Sequence, residues 1–127
     1  VEEKKVNNNK NYDDDNIFAK ILRKEAQAEI IYETKNVLCF NDMFPKAPVH
    51  ILIIPKGRFK DINDFSKHAT TEQKIEIFSS FEILIDRFKL NIDGCRILTN
   101  FGTHGRQEVP HLHFHLLGGK DVGRMLN

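Results

Sequence analysis

Apolar residues arrive along this chain in short bursts, and their spacing changes from one burst to the next. Residues 1–15 are Asn-rich and charged. They offer too little apolar surface to offset the entropy of ordering, so they read as a disordered tail before a domain spanning 16–127. Asn16 is a good N-cap, and Ile17, Phe18, Ile21 and Leu22 follow at helical spacing, predicting a short helix over 17–25. Two β-type runs come next, 29–33 and 36–41, then a loop at 44–48 with two prolines. Residues 49–55 are apolar at nearly every position except His50, the mark of a strand buried on both faces. A long helix is predicted over 71–88, opened by a capping-box pair, Thr70 and Gln73, with Ile75, Phe78, Phe81, Ile85 and Phe88 as its apolar face. A strand at 94–99, a Gly-containing loop at 100–110 and a last strand at 111–117 complete the chain, and Gly118-Gly119 breaks that strand.

Short strands, one long helix and one short helix predict an α+β fold with an antiparallel sheet of about five strands. A chain of 127 residues suits one domain with one core. A core that small gains from self-association.

Charge and composition narrow the function by exclusion. Formal net charge is +1, so no broad field steers the chain to nucleic acid or to a membrane surface. No apolar run reaches membrane-spanning length, and no secretory signal pattern opens the chain. Cys39 and Cys95 lack metal-type spacing and lie in apolar segments, so they read as reduced core thiols. Together these features predict a cytoplasmic protein. His68, beside residues 66–71, reads as a solvated loop residue.

The chemistry concentrates in His111-Leu112-His113-Phe114-His115-Leu116-Leu117. On a strand, side chains alternate faces, so three imidazoles share one side while Leu112, Phe114 and Leu116 anchor the other. Neutral imidazole is a nucleophile or base, and protonated imidazole donates to phosphate oxygens. Three on one rigid face can divide those roles, and the middle one, flanked by the others and open to substrate, is the candidate nucleophile. Two other readings remain open on the residues alone. One is a row of merely hydrogen-bonded structural histidines. The other is a zinc site, although the outer two rings of a single strand point in parallel and lie about 13 Å apart at their Cα atoms. His50 or His104 would have to complete it.

The preceding loop supports phosphate chemistry. Gly102 and Gly105 let backbone N–H groups approach an anion, Asn100 supplies an amide donor, and Arg106 adds charge. A nucleophilic imidazole with such donors nearby splits one hard substitution at phosphorus into two easier ones, with no metal or other cofactor.

The row His111-Leu112-His113-Phe114-His115-Leu116-Leu117 resembles the signature of the histidine-triad superfamily, and the trailing Gly118-Gly119 resembles its Hint branch. The similarity extends to Asn16-Ile17-Phe18-Ala19-Lys20-Ile21, to Phe40-Asn41-Asp42-Met43 with Pro45-Lys46-Ala47-Pro48-Val49-His50, and to Asn100 with Gly105-Arg106-Gln107-Glu108-Val109. The resemblance implies a homodimer whose two sheets join into one. It also implies hydrolysis of purine nucleoside 5′-phosphoramidates to a purine nucleotide such as AMP. In that scheme His113 attacks the α-phosphate and forms a nucleotidyl-histidine. His115 binds phosphate oxygens, His111 orients His113 chiefly through its backbone carbonyl, and His50 supports the cluster. Asp42 accepts from the ribose hydroxyls, and Ile17, Phe18, Ile21, Phe40 and Leu52 wall the base. Asn100 and the backbone of Glu108 cradle the phosphate, with Asn41, Met43 and Gln107 alongside in the nucleotide site. Two departures stand out. Arg106 occupies a place where the family usually has Gly, which would strain Arg if φ there is positive. Glu108 stands where some members carry a hydroxyl residue.

Overall fold

The computed structural model describes residues 11–126. Over them the chain forms α1 (Ile17–Leu22), β1 (Ile30–Glu33), β2 (Val37–Asn41), β3 (Val49–Pro55), α2 (Ile62–His68), α3 (Thr71–Arg87), β4 (Arg96–Leu98) and β5 (Phe114–Gly118). The five strands make one sheet in the order β1-β2-β3-β5-β4, and every neighbouring pair is antiparallel. None of the described helices is long and apolar enough to cross a membrane.

Local chemistry accounts for the helix ends. The Asn16 side chain accepts from the Ala19 N–H and starts α1. The helix stops at Leu22, three residues short of the expected end, because Lys24 turns into the left-handed region at φ 65°. Both halves of the capping box at α3 are present: Gln73 N–H donates to Thr70 Oγ1, and Thr70 N–H to Gln73 Oε1. α2 is an element that hydrophobic spacing did not predict, capped by Asp61, whose side chain accepts from Asp64 N–H. His68 accordingly lies at the end of a helix, with Nδ1 2.8 Å from Asp64 Oδ1, and not in a loop.

The two faces of the sheet carry separate clusters. Val37, Cys39, Ile51, Ile53 and Leu116 point towards α3 and pack with its Ile77 and Leu84. Leu38, Phe40, Leu52 and Ile54, one residue out of phase, point the other way and pack with Phe18 of α1. α3 does not bury the face that its spacing predicts. Ile77, Ser80 and Leu84 are buried, Phe81, Ile85 and Phe88 flank them, and Ile75 and Phe78 face outward, 60% and 71% exposed. The apolar arc of this helix is wider than the strip that the sheet covers, and the small Ser80 lets the helix approach where a larger side chain would hold it off. Glu76 fixes the orientation, its carboxylate accepting from Thr34 Oγ1, Asn36 N–H and Asn36 Nδ2 across the β1–β2 turn.

Of the expected tail, residues 1–10 lie outside the described residues, and residues 11–15 differ from the expectation. Tyr12 is buried at 7% exposure against His111, and Asp14 pairs with Arg58 at 2.9 Å. One aromatic ring supplies the apolar surface that the surrounding polar residues lack.

Candidate functional site

The site lies on the α1 side of the sheet, where β3 and β5 run side by side. Leu52 pairs with His115 and His50 with Leu117 in the β3–β5 register. Strand pairing begins only at Phe114, so His111 and His113 sit on an extended approach to β5 and not within the expected strand over 111–117. Alternation survives this. Leu112, Phe114 and Leu116 enter the cluster beneath α3, while the rings of His111 and His113 both meet the edge or face of Phe18 on the other side. Two bonds hold the approach segment in place. Leu112 N–H donates to Phe59 O at 2.8 Å, and Thr99 Oγ1 donates to His113 O at 2.7 Å.

The hydrogen bonds assign a tautomer to every ring in the cluster, because backbone N–H can only donate and carbonyl can only accept. Lys46 N–H donates to His50 Nδ1 at 3.0 Å, so His50 carries its proton on Nε2. That Nε2–H lies 3.0 Å from His115 Nδ1 and 3.4 Å from Asp42 Oδ2. His115 Nδ1 is therefore an acceptor, and its own proton is on Nε2. His113 Nδ1 lies 2.7 Å from the carbonyl of His111 and must be protonated, which leaves the lone pair on His113 Nε2. His111 Nε2–H donates to Pro55 O at 2.8 Å, and its Nδ1 accepts from the hydroxyl of Tyr12. The result is a row of neutral rings with a lone pair on His113 Nε2 and a donor N–H on His115, ring centroids 5.1 Å apart.

Electrostatics hold the rings neutral. Burial lowers the pKa of His111 to about 4, against the opposing effect of its bond to Pro55. Burial, then His113 and His50, lower His115 to about 4. His113 and His50 are lowered mainly by burial, partly offset for His50 by Asp42. His113 is only 6% exposed, packed against the Phe18 ring at 4.9 Å, and so is less open than its place in the row suggested.

Asp42, His50 and His115 also lie close enough for their ligand atoms to share a metal ion. The hydrogen bonds argue otherwise. A metal on His50 Nε2 needs a lone pair there, and the Lys46 N–H pointing at Nδ1 forces the proton onto Nε2. The trio is built to pass a hydrogen bond from His50 to His115. His104 is exposed in the loop, away from this trio.

The remaining predicted residues divide into two groups. Phe18, Phe40 and Leu52 form one apolar cluster with Ile21 packed against it, and Ile17 is 46% exposed and outside that cluster. Asp42 follows β2; its Oδ1 accepts from Phe44 N–H at 2.8 Å while Oδ2 faces His50. Asn41 is half-buried at the end of β2, and Met43 is 75% exposed. The loop over 100–110 has Asn100 half-buried at its start and Glu108 exposed near its end, close enough to His113 to act on it electrostatically. Gln107 is spent on the loop itself. Its Nε2 donates to Lys60 O and Val109 O, and its Oε1 accepts from Gly102 N–H. Gly105 permits a close crossing, since a Cβ there would stand 2.4 Å from Phe101 O. Arg106 has φ 59°, the strained conformation that its departure from Gly implied.

Sequence reasoning missed Tyr12, Thr99, Lys46 N–H and Pro55 O as partners of the histidines. Only Tyr12 left a signal, as the single aromatic residue among residues 1–15.

Residues 23–122 match the model of the HIT domain family. The chain is 42% identical to an uncharacterized 13.2 kDa HIT-like protein of Azospirillum brasilense, over 92% of this chain and 96% of that one. It is 40% identical to the purine nucleoside phosphoramidase of Escherichia coli, covering 89% and 94%. Among solved structures, a HIT family hydrolase from Clostridium thermocellum superposes with a TM-score of 0.80 at 34% identity, covering 89% of this chain and 97% of that one. One from Legionella pneumophila superposes with a TM-score of 0.78 at 38% identity, covering 84% and 95%. With its histidine row, five-stranded antiparallel sheet and these likenesses across nearly its whole length, the chain belongs to the HIT domain family.

Proposed function

We propose that the protein hydrolyses purine nucleoside 5′-phosphoramidates through a nucleotidyl intermediate on His113. The observation that carries this reading is the tautomer pattern, a lone pair on His113 Nε2 beside the Nε2–H of His115. His113 Nε2 attacks the α-phosphorus, and the bond to the leaving nitrogen breaks as that nitrogen takes a proton from solvent and departs as the amine. Water then attacks the same phosphorus, gives a proton back to solvent, breaks the bond to His113 and releases the nucleoside monophosphate. His115 donates to phosphate oxygens as charge builds on them, and His50 keeps His115 in the donating tautomer. The His111 carbonyl holds the proton of His113 on Nδ1, which directs Nε2 to the phosphorus. The 40% identity to a purine nucleoside phosphoramidase supports the substrate class.

For the nucleotide, Phe18, Ile21, Phe40 and Leu52 form the base wall, with Ile17 at its rim. Asp42 accepts from the ribose hydroxyls through the carboxylate oxygen not engaged by Phe44. Asn100 and the Glu108 backbone hold the phosphate, and Asn41 and Met43 lie alongside. Gln107 serves this site by holding the loop in shape. Two protomers join by pairing open sheet edges, for which β1 and β4 are available. Sedimentation at micromolar concentration is expected to show a dimer, and a stable monomer would reject it.

The decisive experiment is single-turnover trapping with a labelled adenosine phosphoramidate. Label bound covalently to the intact protein and absent from His113→Ala supports the reading; its absence from both, with substrate consumed, overturns it. A parallel panel of dinucleoside polyphosphates tests the substrate class.

A further inference from the structure

We propose that Tyr12 is a positioning residue for the histidine row, its hydroxyl fixing the tautomer of His111 and, through it, the protonation site of His113. His111 is fully buried, and its two ring nitrogens have one partner each, Pro55 O and the Tyr12 hydroxyl. Pro55 O accepts, so Nε2 is protonated and Nδ1 requires a donor, and the ring has no surface open to bulk solvent. Tyr12 comes from ninety-nine residues earlier in the chain to supply it. The carbonyl of the same His111 receives the Nδ1–H of His113. Leu112 N–H on Phe59 O holds the peptide plane of that carbonyl, and the His111 ring shares the Phe18 ring with His113, at centroid distances of 6.4 and 4.9 Å, so a His111 ring that turns to find another partner for Nδ1 disturbs the seat of His113.

The strap that carries Tyr12 is anchored independently of the hydroxyl. The Arg58 guanidinium lies 5.2 Å from the Tyr12 ring centroid and pairs with Asp14. Arg23 donates to Asp14 O, and Asn16 Nδ2 donates to Asp13 O. The ring meets His111 edge-on, with centroids 5.6 Å apart. Burial also raises the phenol pKa, so the hydroxyl keeps its proton at neutral pH. Removing the hydroxyl takes away the donor to His111 and a side-chain bond with Asn16, and leaves the Arg58, Asp14 and Asp13 contacts of the strap in place.

The catalytic consequence rests on the function proposed above; the tautomer consequence does not. Tyr12→Phe tests both. Nitrogen-resolved imidazole NMR of the full chain is expected to show His111 protonated only at Nε2 and His113 only at Nδ1. In Tyr12→Phe, His111 is expected to populate the other tautomer or take a second proton, and His113 to lose its single Nδ1–H state. Turnover of an adenosine phosphoramidate should fall roughly 3- to 10-fold in kcat with KM unchanged, the size set by loss of one buried hydrogen bond. Unchanged nitrogen spectra in the variant overturn the proposal. So does a His111 shift that leaves both His113 and kcat as they were. An unmodified protein that turns over no nucleoside phosphoramidate removes the proposed function, and the spectra then uphold or overturn the role of Tyr12 by themselves.

Discussion

The two faces of the one sheet are built from the same strands and differ by one residue in phase, yet they have opposite characters. Beneath α3, Val37, Cys39, Ile51, Ile53 and Leu116 meet a helix of 17 residues, and the polar side chain that this helix buries is Ser80, which donates to Glu76 O of its own helix. Beneath α1, Leu38, Phe40, Leu52 and Ile54 meet a helix of only 6 residues and a short strap, and the space left over holds His50, His111, His113 and His115. A long lid makes a dry core. A short lid leaves polar groups half out of water, where burial lowers their pKa values and hydrogen bonds decide their tautomers. The first face is a plain core and the second carries the proposed chemistry, and substitutions should separate them.

The largest effect is expected at the proposed nucleophile. His113→Ala should lower kcat by roughly 10³-fold or more while the protein stays folded. Near-normal turnover by the folded variant would return the histidine row to a structural role. On the sealed face, Leu84→Ala should cost about 2–5 kcal/mol of stability by leaving a cavity, with kcat per folded molecule unchanged. Denaturant unfolding alongside kinetics reads this, and a large loss of kcat at full folding would show that the faces are coupled.

A smaller effect is expected at the ribose. Asp42→Ala should weaken ribonucleotide binding by about 1–3 kcal/mol, since an ionised acceptor is lost, and should leave the matching 2′,3′-dideoxynucleotide little changed. Equal weakening of both would mean that Asp42 acts through its bond to Phe44 N–H or its contact with His50. The neutral rings also make a pH prediction. His111 titrates at about 4 in the folded state against an ordinary 6.5, so the unfolded chain binds protons that the folded one refuses. This contribution to stability is present above pH 6.5 and is lost as pH falls towards 4. His115 follows the same course, and His50 and His113, also lowered, act in the same direction. Tm should therefore drop on acidification through that range, and the acid limb of kcat/KM should lie below 6.5; a limb above 6.5 would contradict a neutral, desolvated nucleophile.

The smallest effect belongs to the loop. Arg106→Gly should relieve a left-handed backbone and stabilise the protein by up to about 1 kcal/mol, part of the gain being lost to the greater freedom of glycine in the unfolded chain. A destabilised variant would mean that the Arg106 side chain makes a contact worth more than the strain.

What the sequence by itself determined is whatever rests on near neighbours. The β3 bounds, the Thr70–Gln73 capping box and the Asn16 cap all depend on residues a few positions apart, and they were legible for that reason. So was the alternation of histidines with Leu112, Phe114 and Leu116, because backbone geometry alone puts successive side chains on opposite sides. Other features were decided only in three dimensions. α3 carries more apolar surface than the sheet can cover, so its own sequence could not say that Ile77 and Leu84 go inward while Ile75 and Phe78 stay out. α2 had a legible cap in Asp61 but too little apolar periodicity to announce a helix. The protonation state of each imidazole was the least legible of all. For His111 it is set by Pro55 and Tyr12, which the fold brings from distant parts of the chain, and even the nearby Lys46 N–H reaches His50 only through the shape of the turn between them, so no residue pattern encodes which lone pair a donor will reach.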